Sequence, residues 1–456
     1  MGREIEIKIP PGAAKILRRL EEHGYEAYVV GGCVRDSLLG RNPNDWDITT
    51  SALPRQVKAL FPRTIDTGLK HGTVTILEGG EPYEVTTYRV DGEYLDGRHP
   101  SEVTFTASLK EDLQRRDFTI NAMAYSEKYG LQDYFDGLTH LEKGLICAVG
   151  DPMQRFGEDA LRIMRAVRFA AQLGYEVEEQ TLRAMKELAP TLSKISAERI
   201  ASELEKLLLS PHPEKLGMAY ECGITAVILP EFDRCMETAQ NNPHHCYSVG
   251  EHTIVSIGNA RPDRVLRLAM LLHDFGKPAC KTTDEEGIDH FHGHQEVSAQ
   301  MANDILRRLK SDNATRKSVV KLVRCHDRAV RLTPAGVRKA VVEIGEDLFP
   351  LYLEVKEADT LAQSEYRRQE KLDYLEDVRF LYRKVLEEGD CLSMKDLAVK
   401  GDDLIAAGMR PGRQFREVLE AMFEDVIREP AHNEKTYLMG KYADARSVLT
   451  NSVQNK

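Results

Sequence analysis

Asp45 and Asp47, one residue apart in "NPNDWDITT", are the side chains of this sequence best suited to metal chemistry. On an extended segment, residues two apart project from the same face. Two carboxylates converging there repel each other unless a cation lies between them, and hard oxygen donors suit Mg²⁺. Just upstream, "VVGGCVRD" places Gly31 and Gly32 after a β-branched run, followed by Arg35. Glycine has no Cβ to keep a phosphate off the backbone; a helix beginning near Cys33 favours an anion, and Arg35 adds a forked donor. The combination points to a phosphate held beside metal ions, where a hydroxyl is activated and a pyrophosphate leaves. A turn followed by two solvent-facing aspartates would use the same residue types.

Three later segments offer matching parts. "YEVTTYR" carries Glu84, a third carboxylate if its hairpin lies beside the aspartates and an exposed strand residue if not. "RRDFTINAMAY" (115–125) supplies Arg116 to neutralise phosphate oxygens, with Asp117 and Asn121 to hydrogen-bond ribose hydroxyls. "EDALRIMRAVRFAAQ" (158–172) reads as a helix on which Asp159 and Arg162 share a face, with Arg165 and Arg168 continuing it. Such spacing also makes a surface ion-pair ladder. A carboxylate beside a guanidinium, however, complements an amine beside a ring-nitrogen acceptor, the edge shared by cytosine and adenine. Guanine and uracil present a carbonyl and an N–H there, so one Asp–Arg pair can choose C and A without a nucleic-acid template.

These segments resemble, in content and order, the tRNA nucleotidyltransferase and poly(A) polymerase family of the DNA polymerase beta superfamily. GGCVRD with DWD matches the first motif, RRDFTINA the sugar- and triphosphate-contacting motif, and EDALR the protein template. "ISAERIASELEKLLLSP" (195–211) is similar to the helical neck of the bacterial class II branch. The resemblance implies addition or repair of the 3′-terminal CCA of tRNA with CTP and ATP. It gives Asp45, Asp47 and Glu84 the catalytic roles, with Mg²⁺ on the aspartates. Gly31, Gly32, Arg35, Arg116, Asp117, Asn121, Asp159, Arg162, Arg165 and Arg168 become the nucleotide-binding set. In this family a flexible element between the first two motifs helps the site switch from C to A, and "DGEYLDGRHPSEVTF" (91–105) reads as such a mobile loop. Where bacterial poly(A) polymerases carry a basic Gly-Arg-Arg-Phe-like stretch, this sequence has "TIDTGLKHGTVTI". The rivals are A-only addition, polyadenylation, and an HD phosphohydrolase whose first half is a nucleotide- or RNA-binding regulator.

The second half holds most of the histidines. His252, the adjacent His273-Asp274 of "LLHDFGKP" and Asp359 resemble the H…HD…D ligand set of the metal-dependent HD phosphohydrolase domain. Mixed imidazole and carboxylate ligands suit several divalent ions, so spacing leaves the metal open. Lys277 and His294 are the phosphate-binding candidates, and 2′,3′-cyclic phosphates or phosphate ends of RNA are the implied substrates. A lone histidine in such a segment is more often a surface or satisfied core residue, and His244, His245 and His290 stay unassigned.

The elements that must position these residues change character along the chain. Strand signals dominate residues 26–136, with "EAYVVGG" and "DWDITT" as strands and "TVTILEGGEPYEVTTYR" as a hairpin. "DLQRRDFTINAMAY" reads as helical, and "DYFDGLTHLEKG" as turns and a strand. Beyond about residue 155 the apolar spacing is helical almost throughout. The expected fold is α+β: a polymerase-beta-like head with a small mixed sheet over 1–140, a helical neck over 141–211, a helical HD domain over 212–380 and a helical tail over 381–456. At 456 residues the chain is too long for one core. Its apolar content of 42%, charged content of 30% and scattered cysteines predict a soluble cytoplasmic protein with neither signal peptide nor membrane span. A net charge of −11 argues against indiscriminate nucleic-acid binding; tRNA is the expected partner and DNA is not.

Overall fold

The computed structural model describes residues 5–92 and 103–443. It divides into two compact units, one reaching Asp233 together with Arg308–Lys310, the other comprising Arg234–Arg307 and the residues from Ser311 onward.

The first unit opens with α1 (Pro11–Glu22), whose Ala13, Ile16, Leu17 and Leu20 recur at helical spacing and are buried. A mixed sheet follows. Its strands are β1 (Ala27–Val30), β2 (Ile48–Thr50), β3 (Thr64–Gly68), β4 (Thr73–Glu78) and β5 (Glu81–Thr87), joined later by β8 (Met123–Ser126) and β9 (Gly130–Asp133). The spatial order is β3-β4-β5-β2-β1-β8-β9. β1 is an interior strand between β2 and β8 and is buried at every position, so its near-continuous apolar run is what a covered strand requires. β2 runs antiparallel to β1 and parallel to β5, with Ile48 opposite Val85. β6 (Arg89–Asp91) and β7 (Val103–Phe105) pair separately. Most of the predicted loop at 91–105 lies outside the described residues. α2 (Gly32–Leu38) leaves β1 through Gly31, α3 (Pro54–Leu60) follows β2, and α4 (Leu109–Gln114) precedes β8.

Local details depart from the sequence reading. Asp45 and Asp47 precede β2 rather than lie in it, although the Val30 N–H donates to the Asp47 carbonyl at 3.0 Å and carries the ladder back to Asp47. "MAYS" is a strand, because its residues pair with β1 and β9 and tertiary pairing outweighs helical propensity. Residues Gly137–Lys143 form a helix, α5, whose first N–H groups at Gly137 and Leu138 donate to the Asp133 carboxylate at 2.8 and 2.9 Å.

The first unit continues with α6 (Pro152–Glu158), α7 (Leu161–Leu173), α8 (Glu179–Leu188) and α9 (Ala197–Leu208), the helices expected as the neck. α7 packs along α9, which buries Ile200, Leu204, Leu207 and Leu208. Each such side chain contributes roughly 1.5–3 kcal/mol through removal from water. α10 (Leu216–Glu221) and α11 (Ile224–Ile228) follow, and α12 (Pro230–Met236) crosses the boundary between the units.

In the second unit, α13 (Val249–Asn259), α14 (Arg264–Leu272), α15 (Lys277–Cys280), α16 (His294–Arg308), α17 (Asn313–Cys325), α18 (Pro334–Ile344), α19 (Phe349–Leu361) and α20 (Arg368–Glu387) carry the histidine-rich segments. α14 is the central element, packed against α13, α17 and α19 and buried from Leu266 to Leu272. A separate apolar cluster around Leu397, Leu404, Met422, Val426 and Leu438 organises the helices towards residue 443.

Candidate functional site

In the first unit a cleft of 590 Å³ is lined by Gly31, Gly32, Arg35, Asp45, Asp47, Arg116, Asp117, Asn121, Arg165 and Arg168. Residues nominated from three distant segments thus meet in one place. Glu84 is outside that lining but adjacent to the aspartates: β2 and β5 run parallel, and Asp47 and Glu84 each stand one step before the paired Ile48 and Val85. The Glu84 carboxyl responds to both aspartates. Crowding by protein atoms raises Asp47 even though its side chain keeps solvent contact; Arg116 opposes the rise and Asp45 adds to it. Glu84 is raised by partial desolvation, then by Asp47 and Asp45. Carboxyls raised by neighbouring carboxylates mark a site short of positive charge, and an all-oxygen donor set fits a hard divalent cation.

The arginines around this pair are held by buried carboxylates and amides. Gly31 has φ 82°, and a Cβ there would meet Arg116 Nη1 at 3.0 Å, so glycine is required by backbone conformation and close approach together. Asp112, fully buried on α4, takes a hydrogen bond from Arg115 Nε at 3.0 Å and from Thr49 Oγ1 at 3.0 Å, and lies 3.8 Å from Arg116 Nη2. Arg35 Nη1 donates to Asn121 Oδ1 at 2.6 Å. Arg165 Nε donates to Asp117 Oδ2 at 2.7 Å, while Asp117 Oδ1 accepts from the Phe118 N–H and Asn121 Nδ2. Arg168 pairs with Glu203 of α9 at 2.9 Å and lies 4.0 Å over the Phe169 ring.

Burial alone would push Asp117 up, but Arg165 and these hydrogen bonds hold its carboxyl at about 2, below the ordinary 3.8. A depressed folded value stabilises the fold above the unfolded pKa, and the gain disappears as pH falls towards 2. Between about pH 4 and 2, the unfolding free energy of the wild-type chain is therefore expected to fall more steeply than that of Asp117→Asn, by about 2 kcal/mol in total. Urea titrations at stepped pH measure this; parallel slopes would remove the pair from the account.

The EDALR segment differs from its sequence reading. Asp159 is extended (φ −141°, ψ 104°) between α6 and α7, not on the helix with Arg162, and its Oδ1 accepts from the Leu161 N–H at 3.0 Å. Asp159 and Arg162 do not pair. Asp159 Oδ2 accepts from Arg199 Nη2 at 2.7 Å, while Arg162 donates to Glu158 Oε2 at 2.6 Å and to the carbonyls of Arg155 and Arg115 at 2.9 and 3.0 Å. Neither residue is in the lining of the 590 Å³ cleft.

In the second unit, His252, His273 and Asp274 form one potential metal-binding group, and Asp274, His294 and His326 form another. Asp359 joins the first, its Oδ1 lying 2.9 Å from His252 Nε2. All four imidazoles face a backbone carbonyl through Nδ1: His252 on Ala362, His273 on Met270, His294 on Phe291 and His326 on Val323. A carbonyl only accepts, so each Nδ1 carries a proton and each ring directs its Nε2 inward. The Nε2 atoms of His252 and His273 are 3.3 Å apart, and those of His294 and His326 are 3.2 Å apart. Ring nitrogens this close together, beside two buried carboxylates, share a proton or a metal ion between them. Asp274 lies between the two groups, with Oδ2 3.2 Å from His273 and Oδ1 3.4 Å from His294; both oxygens are buried without a well-aligned hydrogen bond. Burial would raise its carboxyl, but His273 and Lys277 hold it well below the carboxylate range. The donor set fits divalent cations of borderline softness. Beside it lies a 260 Å³ cavity lined by Lys277, His245, Phe291 and Gln363. Lys277 Nζ lies 2.6 Å from Asp274 Oδ2. A third cleft, 780 Å³ between α18 and α22 (with α21, Gly401–Ala406, and α22, Arg413–Arg428), is lined by none of the residues singled out from the sequence.

Comparison with known proteins agrees with this geometry. Residues 27–147 match the family described as "Poly A polymerase head domain", and residues 282–441 match a tRNA nucleotidyltransferase second domain. A CCA-adding enzyme of Limosilactobacillus reuteri is 57% identical over 201 residues, 44% of this chain; the match spans about half, 50%, of that relative's length. A CCA-adding enzyme of Streptococcus mutans is 35% identical over 433 residues, covering 94% of this chain and 95% of the relative. The chain belongs to the CCA-adding enzyme family. The solved CCA-adding enzyme of Bacillus stearothermophilus in complex with CTP shares 31% identity, with a TM-score of 0.71 over 97% of this chain and 100% of that one. The polymerase-beta-like head and helical remainder are accordingly the fold of that family.

Within the CCA-adding family framework, some participants escaped sequence reading. Phe169, Gln172 and Lys206 also line the cleft, Glu203 holds its Arg168, and Arg199 holds Asp159 outside the lining. All but Phe169 and Gln172 sit on a neck helix that reads as scaffold. His326 did carry a signal: "CHD" repeats the His-Asp dipeptide at the end of an apolar helix. His294, nominated for phosphate, lines the 260 Å³ cavity with Lys277 and also faces Asp274 and His326 as a potential ligand.

Proposed function

We propose that this chain adds or repairs the 3′-terminal CCA of tRNA with CTP and ATP, without a nucleic-acid template. The observation that carries this reading is the convergence of Asp45 and Asp47 with Arg35, Arg116, Arg165 and Arg168 in one cleft. The S. mutans relative, matched over nearly its whole length, supports it.

Asp45 and Asp47, with Glu84 alongside, are the residues that would hold Mg²⁺. Bound there, the ion neutralises charge at the α-phosphate and makes the tRNA 3′-hydroxyl a better nucleophile. Gly31 and Gly32 let the triphosphate lie against the backbone. Arg35, Arg116, Arg165 and Arg168 face its oxygens and stabilise the charge that develops as pyrophosphate departs. Asp117 and Asn121 hold the Arg165 and Arg35 guanidinium groups in place and offer hydrogen bonds to ribose. The Asp159–Arg162 segment selects the base: Asp159 presents its carboxylate, and Arg162 would have to release Glu158 and two backbone carbonyls to meet a base. Transfer belongs to the head at 1–140, base choice to the neck at 141–211, and the compartment is the cytoplasm. No helix among the described residues is long and apolar enough to cross a membrane.

The test is one incubation of tRNAs lacking CCA, ending in C and ending in CC with labelled CTP and ATP. Both nucleotides are expected to be incorporated, with synthesis stopping after CCA. Failure to incorporate CTP would instead favour A-only addition or polyadenylation.

A second activity is favoured by the four inward-directed imidazoles. His252, His273, Asp274 and Asp359 would hold one divalent cation and Asp274, His294 and His326 another, within the helical region 212–380. Such cations, when bound, lower the pKa of water and polarise a phosphate ester. Lys277 would hold the phosphate. The class of substrate is a 2′,3′-cyclic phosphate or a phosphate end on RNA.

A further inference from the structure

The base-selecting aspartate has a partner from outside its own segment. Asp159 Oδ1 is taken by the Leu161 N–H at 3.0 Å, and Oδ2 by Arg199 Nη2 at 2.7 Å. Arg199 stands 40 residues downstream, in the first turn of α9. Arg162 cannot substitute for it, since its own guanidinium is spent on Glu158 and two backbone carbonyls. Asp159 and Arg199 both keep some solvent contact, with side chains 17% and 22% exposed, so a ligand can reach the pair.

We propose that Arg199 is a specificity-determining positioning residue that fixes the Asp159 carboxylate during base selection. The inference rests on reading Asp159 as the base selector. A carboxylate that can rotate is a poor discriminator, because it turns away from a carbonyl as readily as it turns towards an amine. Here rotation would break the Leu161 N–H bond on one oxygen and a charge-assisted bond on the other. The lone pair that remains on Oδ2 then points in one direction. A base with an exocyclic amine satisfies it, whereas a base with a carbonyl at that place meets a fixed negative charge. Without Arg199 the carboxylate can swing aside, and uracil and guanine are tolerated.

The experiment compares wild type, Arg199→Ala, Arg199→Lys and Asp159→Ala as full chains, measuring kcat/KM for CTP, UTP, ATP and GTP on tRNA primers. Arg199→Ala is expected to raise the UTP:CTP and GTP:ATP ratios by about tenfold, the equivalent of one charge-assisted hydrogen bond. Arg199→Lys should recover part of the discrimination, because an ammonium keeps the charge and loses the fork. Ratios taken on one preparation do not depend on how much of it is folded, so partial unfolding cannot imitate the effect. An equal loss for all four nucleotides would overturn the proposal and leave Arg199 a scaffold residue. Relaxed selection in Asp159→Ala with unchanged ratios in Arg199→Ala would also overturn it, while sparing the base-selector reading. Unchanged selection in Asp159→Ala would overturn that reading itself.

Discussion

Asp45→Ala and Asp47→Ala are each expected to lower CTP and ATP incorporation by more than about a thousandfold, because each removes an oxygen ligand from the ions on which transfer depends. Neither change should unfold the head. Both side chains are solvent-exposed, so alanine leaves no cavity, and the contact Asp47 makes with β1 is through its backbone carbonyl. Glu84→Ala is the informative companion. Glu84 stands beside Asp47 across the β2–β5 pairing, and the electrostatic coupling among the three carboxylates means its loss also changes the charge that the cation meets. Incorporation is measured with excess Mg²⁺ on a tRNA ending in CC, and phosphohydrolysis serves as the internal control. Transfer that survives either aspartate substitution would falsify the metal assignment.

Asp274→Asn carries the other large effect. Asp274 presents one oxygen to His252 and His273 and the other to His294 and His326, so it belongs to both potential metal groups. Replacing it with a neutral isostere removes the negative charge shared by four imidazoles. Bound divalent metal is expected to fall to background in elemental analysis, and hydrolysis of a 2′,3′-cyclic phosphate to fall more than about a thousandfold. CCA addition should be unchanged, since its residues lie in the other unit. His326→Ala separates the two groups: it should remove only the metal held with His294. Hydrolysis that persists after metal is lost from Asp274→Asn would transfer the activity to another site.

The two large predictions draw on different kinds of information. Asp45, Asp47, Gly31 and Arg35 are within seventeen positions of each other, and their chemistry follows from residue type at local spacing. The same holds for His273-Asp274 and for Arg116, Asp117 and Asn121, and all of these meet where that spacing implies. The α+β head and helical remainder were also legible, because period-2 and period-3.6 apolar patterns are properties of short windows. "MAYS" escaped because strand pairing with β1 and β9, a non-local gain, overrides what a window of sequence prefers.

Partnership across the fold was a different matter. Glu84 reaches the aspartates only through parallel pairing of β2 with β5, and no periodicity states which strand pairs with which. Asp159 lies on an extended segment with Arg199 as its partner, although its spacing to Arg162 suggested a shared helical face. Arg168 takes Glu203, and His326 completes a ligand group, through packing of helices far apart in sequence. The sequence by itself therefore determined which reactive residue types stand close together, because short-range spacing is set by the covalent chain. Tertiary structure alone decided which charge faces which, because each of those contacts needs two elements to pack in one register.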